Sequence, residues 1–213
     1  MDPLNLLIAA LGGFASSFVG SIPVAGPLAV LAIASATRGE LASARHLVRG
    51  GAVGEGTYAV LAFLGLRALV EAHPWILGAS KLFTAALLIA IGIALLRTNV
   101  GAPRPQSAPA RPGAAKKSVL IGFTITICNP TLLVSWSAVV TALYSFQVVR
   151  FSLPAALAFG AGAIGGKISW FHVLFRFIEQ RYDRMERDTL KSVMRTMAAC
   201  ATCLGLWLAW RAI

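Results

Sequence analysis

Gly51-Ala-Val-Gly-Glu-Gly-Thr-Tyr58 and Gly162-Ala-Ile-Gly-Gly-Lys-Ile-Ser-Trp170 each set one charge among glycines inside a long apolar stretch. A charge in the hydrocarbon core costs roughly 2.5 to 3.5 kcal/mol even on lenient insertion scales, so an intramembrane ionisable residue is a candidate for function. Glu55 and Lys167 are two such residues, of opposite sign and in paired surroundings. They point to a transport pathway built from a duplicated unit.

The rest of the chain fits a membrane. It is 57% hydrophobic and 13% charged, with a mean hydropathy of +0.75, whereas a soluble domain carries roughly 25% charge. With 213 residues and roughly 20 apolar residues per span, the fold expected is an all-α integral membrane protein of about six transmembrane helices. That leaves no room for a separate catalytic domain, and no enzyme activity is expected. The net charge of +11 flanks the apolar segments instead of forming one stripe, which suits lipid headgroups and orientation signals and argues against nucleic acid. Met1-Asp2-Pro3 lacks the basic region of a cleaved leader.

Six apolar segments are legible, at 4–36, 50–70, 75–96, 118–143, 153–178 and 193–212. Basic residues crowd the first, third and fifth connections: Arg38, Arg45 and Arg49, then Arg97 through Lys117, then Arg176 through Lys191. The positive-inside rule puts these on the cytoplasmic side and both termini outside. Residues 99–117, rich in Pro and Ala and basic, read as a cytoplasmic linker. They separate a first three-helix unit, 1–98, from a second, 118–213. An odd number of spans per unit forces the second copy upside down, so the chain reads as an inverted three-plus-three repeat. Residues 179–191 are charged with helical spacing and read as a solvated extension of the fifth span.

Both units carry a helix breaker at a corresponding place. In Gly20-Ser-Ile-Pro-Val-Ala-Gly-Pro27, Pro23 and Pro27 lack an N–H and Gly26 loosens the backbone, with Pro27 at the favoured first position of a new half-helix. Asn129-Pro130 repeats the design, Asn129 being able to cap the half-helix that Pro130 starts. A half-helix N-terminus aims free N–H groups and a positive dipole end into the membrane, which suits a substrate carboxylate. One proline alone is better explained as a packing kink; corresponding breaks in both repeats favour a binding site.

Glu55 can couple a proton, anchor a substrate ammonium, or pair with Lys167. Counted from Arg49, Glu55 lies roughly 9 Å deep, and counted from Arg176, Lys167 lies roughly 13 Å from the same side. They meet if the second and fifth spans are neighbours, and the plain alternative is then a structural ion pair. Tyr58 and His172 lie near these charges and can extend a polar path, although packing explains each more simply. Cys200-Ala-Thr-Cys203 has CxxC spacing but sits within an apolar helix, where neither a stabilised thiolate nor a metal site is expected; Cys128 is the one further cysteine.

At these motifs the chain resembles the lysine-exporter family of amino-acid translocators, the LysE/RhtB type. The resemblance runs through Ser21-Ile-Pro-Val-Ala-Gly-Pro-Leu28, Thr37-Arg-Gly39, the glycine-rich stretch ending at Tyr58, Gly122-Phe123 and Cys128-Asn-Pro130, and extends into the last span. It implies a six-helix exporter of the bacterial inner membrane, driven by the proton motive force, with amino acids or related small metabolites as cargo. Family members commonly have Pro-Gly-Pro in helix one, where Val24-Ala25 here separates Pro23 from Gly26-Pro27, and Thr131 replaces the Lys often seen after Asn-Pro. These departures mark a divergent branch.

The resulting expectation is a proton-coupled secondary exporter working by alternating access. Pro23, Gly26, Pro27, Asn129, Pro130 and Lys167 would hold the substrate, and Glu55 would bind its ammonium or exchange a proton. The partners are a small-molecule substrate, protons and the bilayer, with room for a homo-oligomer and no cofactor or metal. Three competitors stand beside it: a divalent metal-ion exporter, which lacks a His/Cys/carboxylate cluster; a membrane thiol redox carrier, which lacks cysteines in the first three spans; and a purely structural subunit, which leaves the paired breaks unexplained.

Overall fold

The structure is a computed structural model that describes residues 3–22, 26–65, 113–129, 131–145, 149–150 and 152–182, with isolated helical positions between 85 and 93 and between 195 and 210. Among the described residues there are six helices and no strand. They come from four of the six apolar segments, because two segments are broken. The first segment forms α1 (Pro3–Gly20) and α2 (Pro27–Thr37). The second forms α3 (Leu41–Phe63), the fourth forms α4 (Ala114–Ile127) and α5 (Thr131–Ser145), and the fifth forms α6 (Leu153–Tyr182). The third and sixth segments and residues 99–112 lie, apart from those isolated positions, outside the described residues.

The local chemistry accounts for the boundaries. Gly26 has φ 114, and α2 starts at Pro27, whose fixed φ suits a first helical position and whose missing N–H costs nothing there. The same helix stops at Gly39, φ 78, where Gly39 N donates to Ala36 O and Glu40 N to Ser35 O. These are the two bonds of a glycine-terminated Schellman end. α4 and α5 meet at 70° across the Asn129-Pro130 break.

Two starts differ from the hydropathy reading. α3 begins at Leu41, so Arg45 and Arg49 lie on a helix instead of in a connection. α4 begins at Ala114, which puts Lys116 and Lys117 on its first turns. Hydropathy marks where lipid begins, whereas backbone hydrogen bonding continues outward while long basic side chains reach the interface. α6, at 30 residues, is about 45 Å long at 1.5 Å per residue, against a hydrocarbon core of about 30 Å. By length and hydropathy, α1 passes as a membrane span, and the bent α4–α5 pair passes jointly as one broken span.

The helices associate through small residues. On α1, Ala9, Gly13 and Ser17 are buried at intervals of one helical turn, while Leu4, Leu7 and Leu11 point outward. This is the inverse of a soluble amphipathic helix and the usual pattern where lipid is the solvent. α1 runs parallel to α6 and α3 parallel to α4, each pair in backbone contact. A Cβ on Gly13 would lie 2.0 Å from Phe159 O and 3.1 Å from Ala163 N; one on Gly122 would lie 1.9 Å from Leu47 O and 3.1 Å from Gly51 N. Reciprocally, a Cβ on Gly162 would lie 1.9 Å from Ala10 O, and one on Gly50 1.9 Å from Val119 O. The two crossings thus match residue by residue. Gly122, Val119 and Phe123 of α4 stand where Gly13, Ala10 and Phe14 of α1 stand, and Leu47, Gly50 and Gly51 of α3 stand where Phe159, Gly162 and Ala163 of α6 stand.

α3 and α6 then pack antiparallel, bringing the two pairs together at Gly56 and Gly160. Exposed Arg45 at the start of α3 pairs with Glu179 at the end of α6 at 3.2 Å. Ser43 and Ser118 share a hydrogen bond of 2.9 Å at the same end of the bundle. At the other end, Asn5 and the Arg150 backbone exchange two hydrogen bonds, fixing the start of α1 beside that of α6.

Candidate functional site

The antiparallel contact of α3 with α6 brings Glu55 and Lys167 together. Lys167 Nζ donates to Glu55 Oε2, and both side chains are largely buried. Glu55 Oε1 accepts a second hydrogen bond from Ser17 Oγ of α1 at 3.0 Å. The carboxylate is therefore held by one cation and one hydroxyl, drawn from two different helices. Buried charges are tolerable when paired and hydrogen-bonded, and removal of either partner is costly.

Beside the pair lies a cavity of about 250 Å³, smaller than the roughly 300–1,000 Å³ of sites for drug-sized ligands. Both helix breaks open into it. Gly20 and Ser21 from the end of α1, Gly26, Pro27, Leu28 and Ala29 from the start of α2, and Asn129 from the second break all line it. Trp136, Val139 and Phe171 supply apolar walls, Ser135 and Thr126 hydroxyls, and Glu55 and Lys167 the charges.

The start of α2 adds a positive dipole end. Pro27 has no N–H, Val30 N already donates to Gly26 O, and Gly26 has no side chain with which to cap. The first-turn amides of Leu28 and Ala29 are those a helix leaves unsatisfied. The site thus offers a cation, an anion, helix amides and a small apolar wall around one cavity. That combination matches the two ends and the body of a small zwitterion.

Of the residues singled out in the sequence, Gly26, Pro27, Glu55, Asn129 and Lys167 line this one cavity. Pro23 and Pro130 lie outside the described residues. Tyr58 is buried but does not line the cavity; its hydroxyl donates to Ile127 O at 2.5 Å, tying down the last turn of α4 before the second break. His172 is exposed and away from the cavity. At 3.6 residues per turn, five positions rotate it about 140° from Lys167, so the two do not share a face. Cys128 and Cys203 are free thiols, and Cys200 lies outside the described residues. No group of three His, Cys, Asp or Glu side chains gathers among the described residues.

Ser17, Trp136 and Phe171 were not legible as site residues. Ser17 had a faint signal, as the polar member of the Ala9, Gly13, Ser17 stripe. The two aromatics look in sequence like any lipid-facing or core ring.

Comparison with curated proteins and with solved structures returns no match. A model of the LysE type translocator family matches residues 19–211. That match takes in both breaks, both buried charges and the α3–α4 crossing. The chain belongs to the LysE type translocator family, and is with it a membrane transporter.

Proposed function

We propose that the protein exports amino acids or related small metabolites from the cytoplasm as a proton-coupled secondary transporter working by alternating access. The observation that carries this reading is the Glu55–Lys167 pair on the wall of the small cavity into which both helix breaks open. A purely structural pair needs neither the cavity nor the breaks. On entry of a zwitterion, Lys167 and the α2 amides would take its carboxylate and Glu55 its ammonium, each charge exchanging one partner for another. When the cargo leaves, Glu55 can re-pair with Lys167 or carry a proton.

The matched crossings of α1 with α6 and of α3 with α4 support the inverted three-plus-three reading, in which 1–98 and 118–213 are the two copies. Glu55 and Lys167 are 112 positions apart in the chain, as are Leu47 and Phe159, Gly50 and Gly162, and Gly51 and Ala163. The two charges would then be each other's equivalents, meeting near the axis that relates the copies. A bacterial inner membrane location with both termini outside follows from the resemblance and from the basic connections.

The test is uptake of a labelled amino-acid panel into inside-out vesicles, wild type beside Glu55→Gln. Uptake of one or a few amino acids that collapses with an uncoupler and in the variant supports the proposal. Normal proton-driven flux in Glu55→Gln removes Glu55 from the mechanism. No uptake across the panel by inserted protein removes amino acids as cargo.

A further inference from the structure

Three positions beyond each buried charge stands an aromatic residue with one donor: Tyr58 on α3 and Trp170 on α6. They are equivalents under the same displacement of 112 positions that relates Glu55 to Lys167. Each rests on the end of a broken helix. Tyr58 meets Ile127, the last residue of α4, and Trp170 meets Phe18 near the end of α1, edge to face with ring centroids 5.5 Å apart. Ile127 and Phe18 are themselves related as Gly122 is to Gly13.

The two contacts differ in one respect. Tyr58 Oη donates to Ile127 O at 2.5 Å. Trp170 Nε1 is buried and has no hydrogen-bond partner among the described residues. The carbonyl in the corresponding place, Phe18 O, accepts the longer branch of a shared bond from Ser21 N, at 3.3 Å against 3.0 Å to Ser17 O. A buried donor left unmade is costly and rare, and asks for an explanation.

Resting on the alternating-access reading above, we infer that Trp170 Nε1 donates to Phe18 O in the conformation open to the opposite side, and that Tyr58 releases Ile127 there. Two inverted copies that exchange conformations must exchange their contacts. The bond made in one copy and missing in the other is then the signature of one half of the cycle. Tyr58 and Trp170 are positioning residues: each holds the end of one broken helix in one state. Because one bond is lost as the other forms, the exchange keeps the two states close in free energy, as a protein cycling between them requires.

The test places one thiol in the cavity, Ser135→Cys, in the full-length chain with its native cysteines changed to serine. Labelling rates with a membrane-impermeant maleimide are compared in right-side-out and inside-out vesicles, and their ratio reads the balance of states. Tyr58→Phe should move the ratio roughly three- to tenfold one way and Trp170→Phe by a similar factor the other way, the size of one net hydrogen bond. The double variant should return near the parent ratio, and Trp170→Tyr, which keeps a donor, should stay near it. A residue that only packs would lower the yield of folded protein without opposite shifts. Shifts in the same direction, or an unmoved ratio in folded variants, would overturn the inference while leaving alternating access standing. Should Trp170→Phe not fold, Tyr58→Phe decides alone, since it removes a single oxygen and an unmoved ratio overturns the inference. Labelling of the parent from one side only would overturn alternating access and this inference together.

Discussion

Lys167 on α6 donates to the Glu55 carboxylate on α3, whose other oxygen is held by Ser17 of α1 at 3.0 Å. Three helices thus converge on one buried carboxylate at the cavity wall. Truncating one partner of a buried pair strands the other charge, which typically costs about 3–5 kcal/mol, whereas replacing both is often neutral. Lys167→Ala should therefore lower stability more than Glu55→Gln combined with Lys167→Met, as read by thermal melting in detergent. The exchange of Glu55→Lys with Lys167→Glu should fold better than either single reversal. Equal melting of all these variants would mean that the pair does not form in the folded protein.

Ser17→Ala removes one hydrogen bond to a charged acceptor, an interaction worth about 1.5–3 kcal/mol. The carboxylate keeps Lys167, so the variant should insert and fold with a lower melting temperature. On the proposed mechanism a looser Glu55 should raise the KM for cargo. Unchanged melting and unchanged uptake would make the Ser17 contact incidental.

Gly162→Ala and Gly165→Ala discriminate between close approach and helix propensity. A Cβ at 162 would lie 1.9 Å from Ala10 O, while one at 165 meets only the Phe14 ring edge at 3.5 Å. Overpacking of this kind costs typically about 1–3 kcal/mol, and backbone against backbone belongs at the upper end. Gly165→Ala should be neutral or stabilising by up to about 1 kcal/mol. Gly122→Ala should behave like Gly162→Ala, because it faces Leu47 O at the matching crossing. Similar stability for Gly162→Ala and Gly165→Ala would contradict the close α1–α6 contact.

Arg45→Ala removes an exposed ion pair with Glu179. Such pairs contribute about 0–1 kcal/mol and are screened by salt. The melting temperature should change little and the difference should vanish at high ionic strength. A large, salt-independent loss would assign Arg45 another role.

Much of this was legible along the chain because the physical signals are local. Pro27 after Gly26 interrupts a helix whatever surrounds it, and a charge such as Glu55 among apolar residues is conspicuous by composition alone. The extension of α3 outward to Leu41 was not legible, since hydropathy reports the edge of the lipid and not the last backbone hydrogen bond. His172 looked close to Lys167 by number and faces away, because five residues overshoot one turn of helix by well over a quarter turn.

By itself the sequence determined the helical, lipid-solvated character of the protein, where two of its helices break, and which two charged residues stand among glycines in apolar stretches. Those depend on hydropathy, on proline and glycine backbone chemistry, and on solvation cost, all properties of short segments. Only the tertiary structure decided that α3 lies against α6, that Ser17 completes the pair, that Trp136 and Phe171 wall the cavity, and that Tyr58 makes its bond while Trp170 Nε1 has no partner among the described residues. Those depend on how each helix is rotated about its axis and how closely two backbones approach, and glycine contacts across the bundle set both.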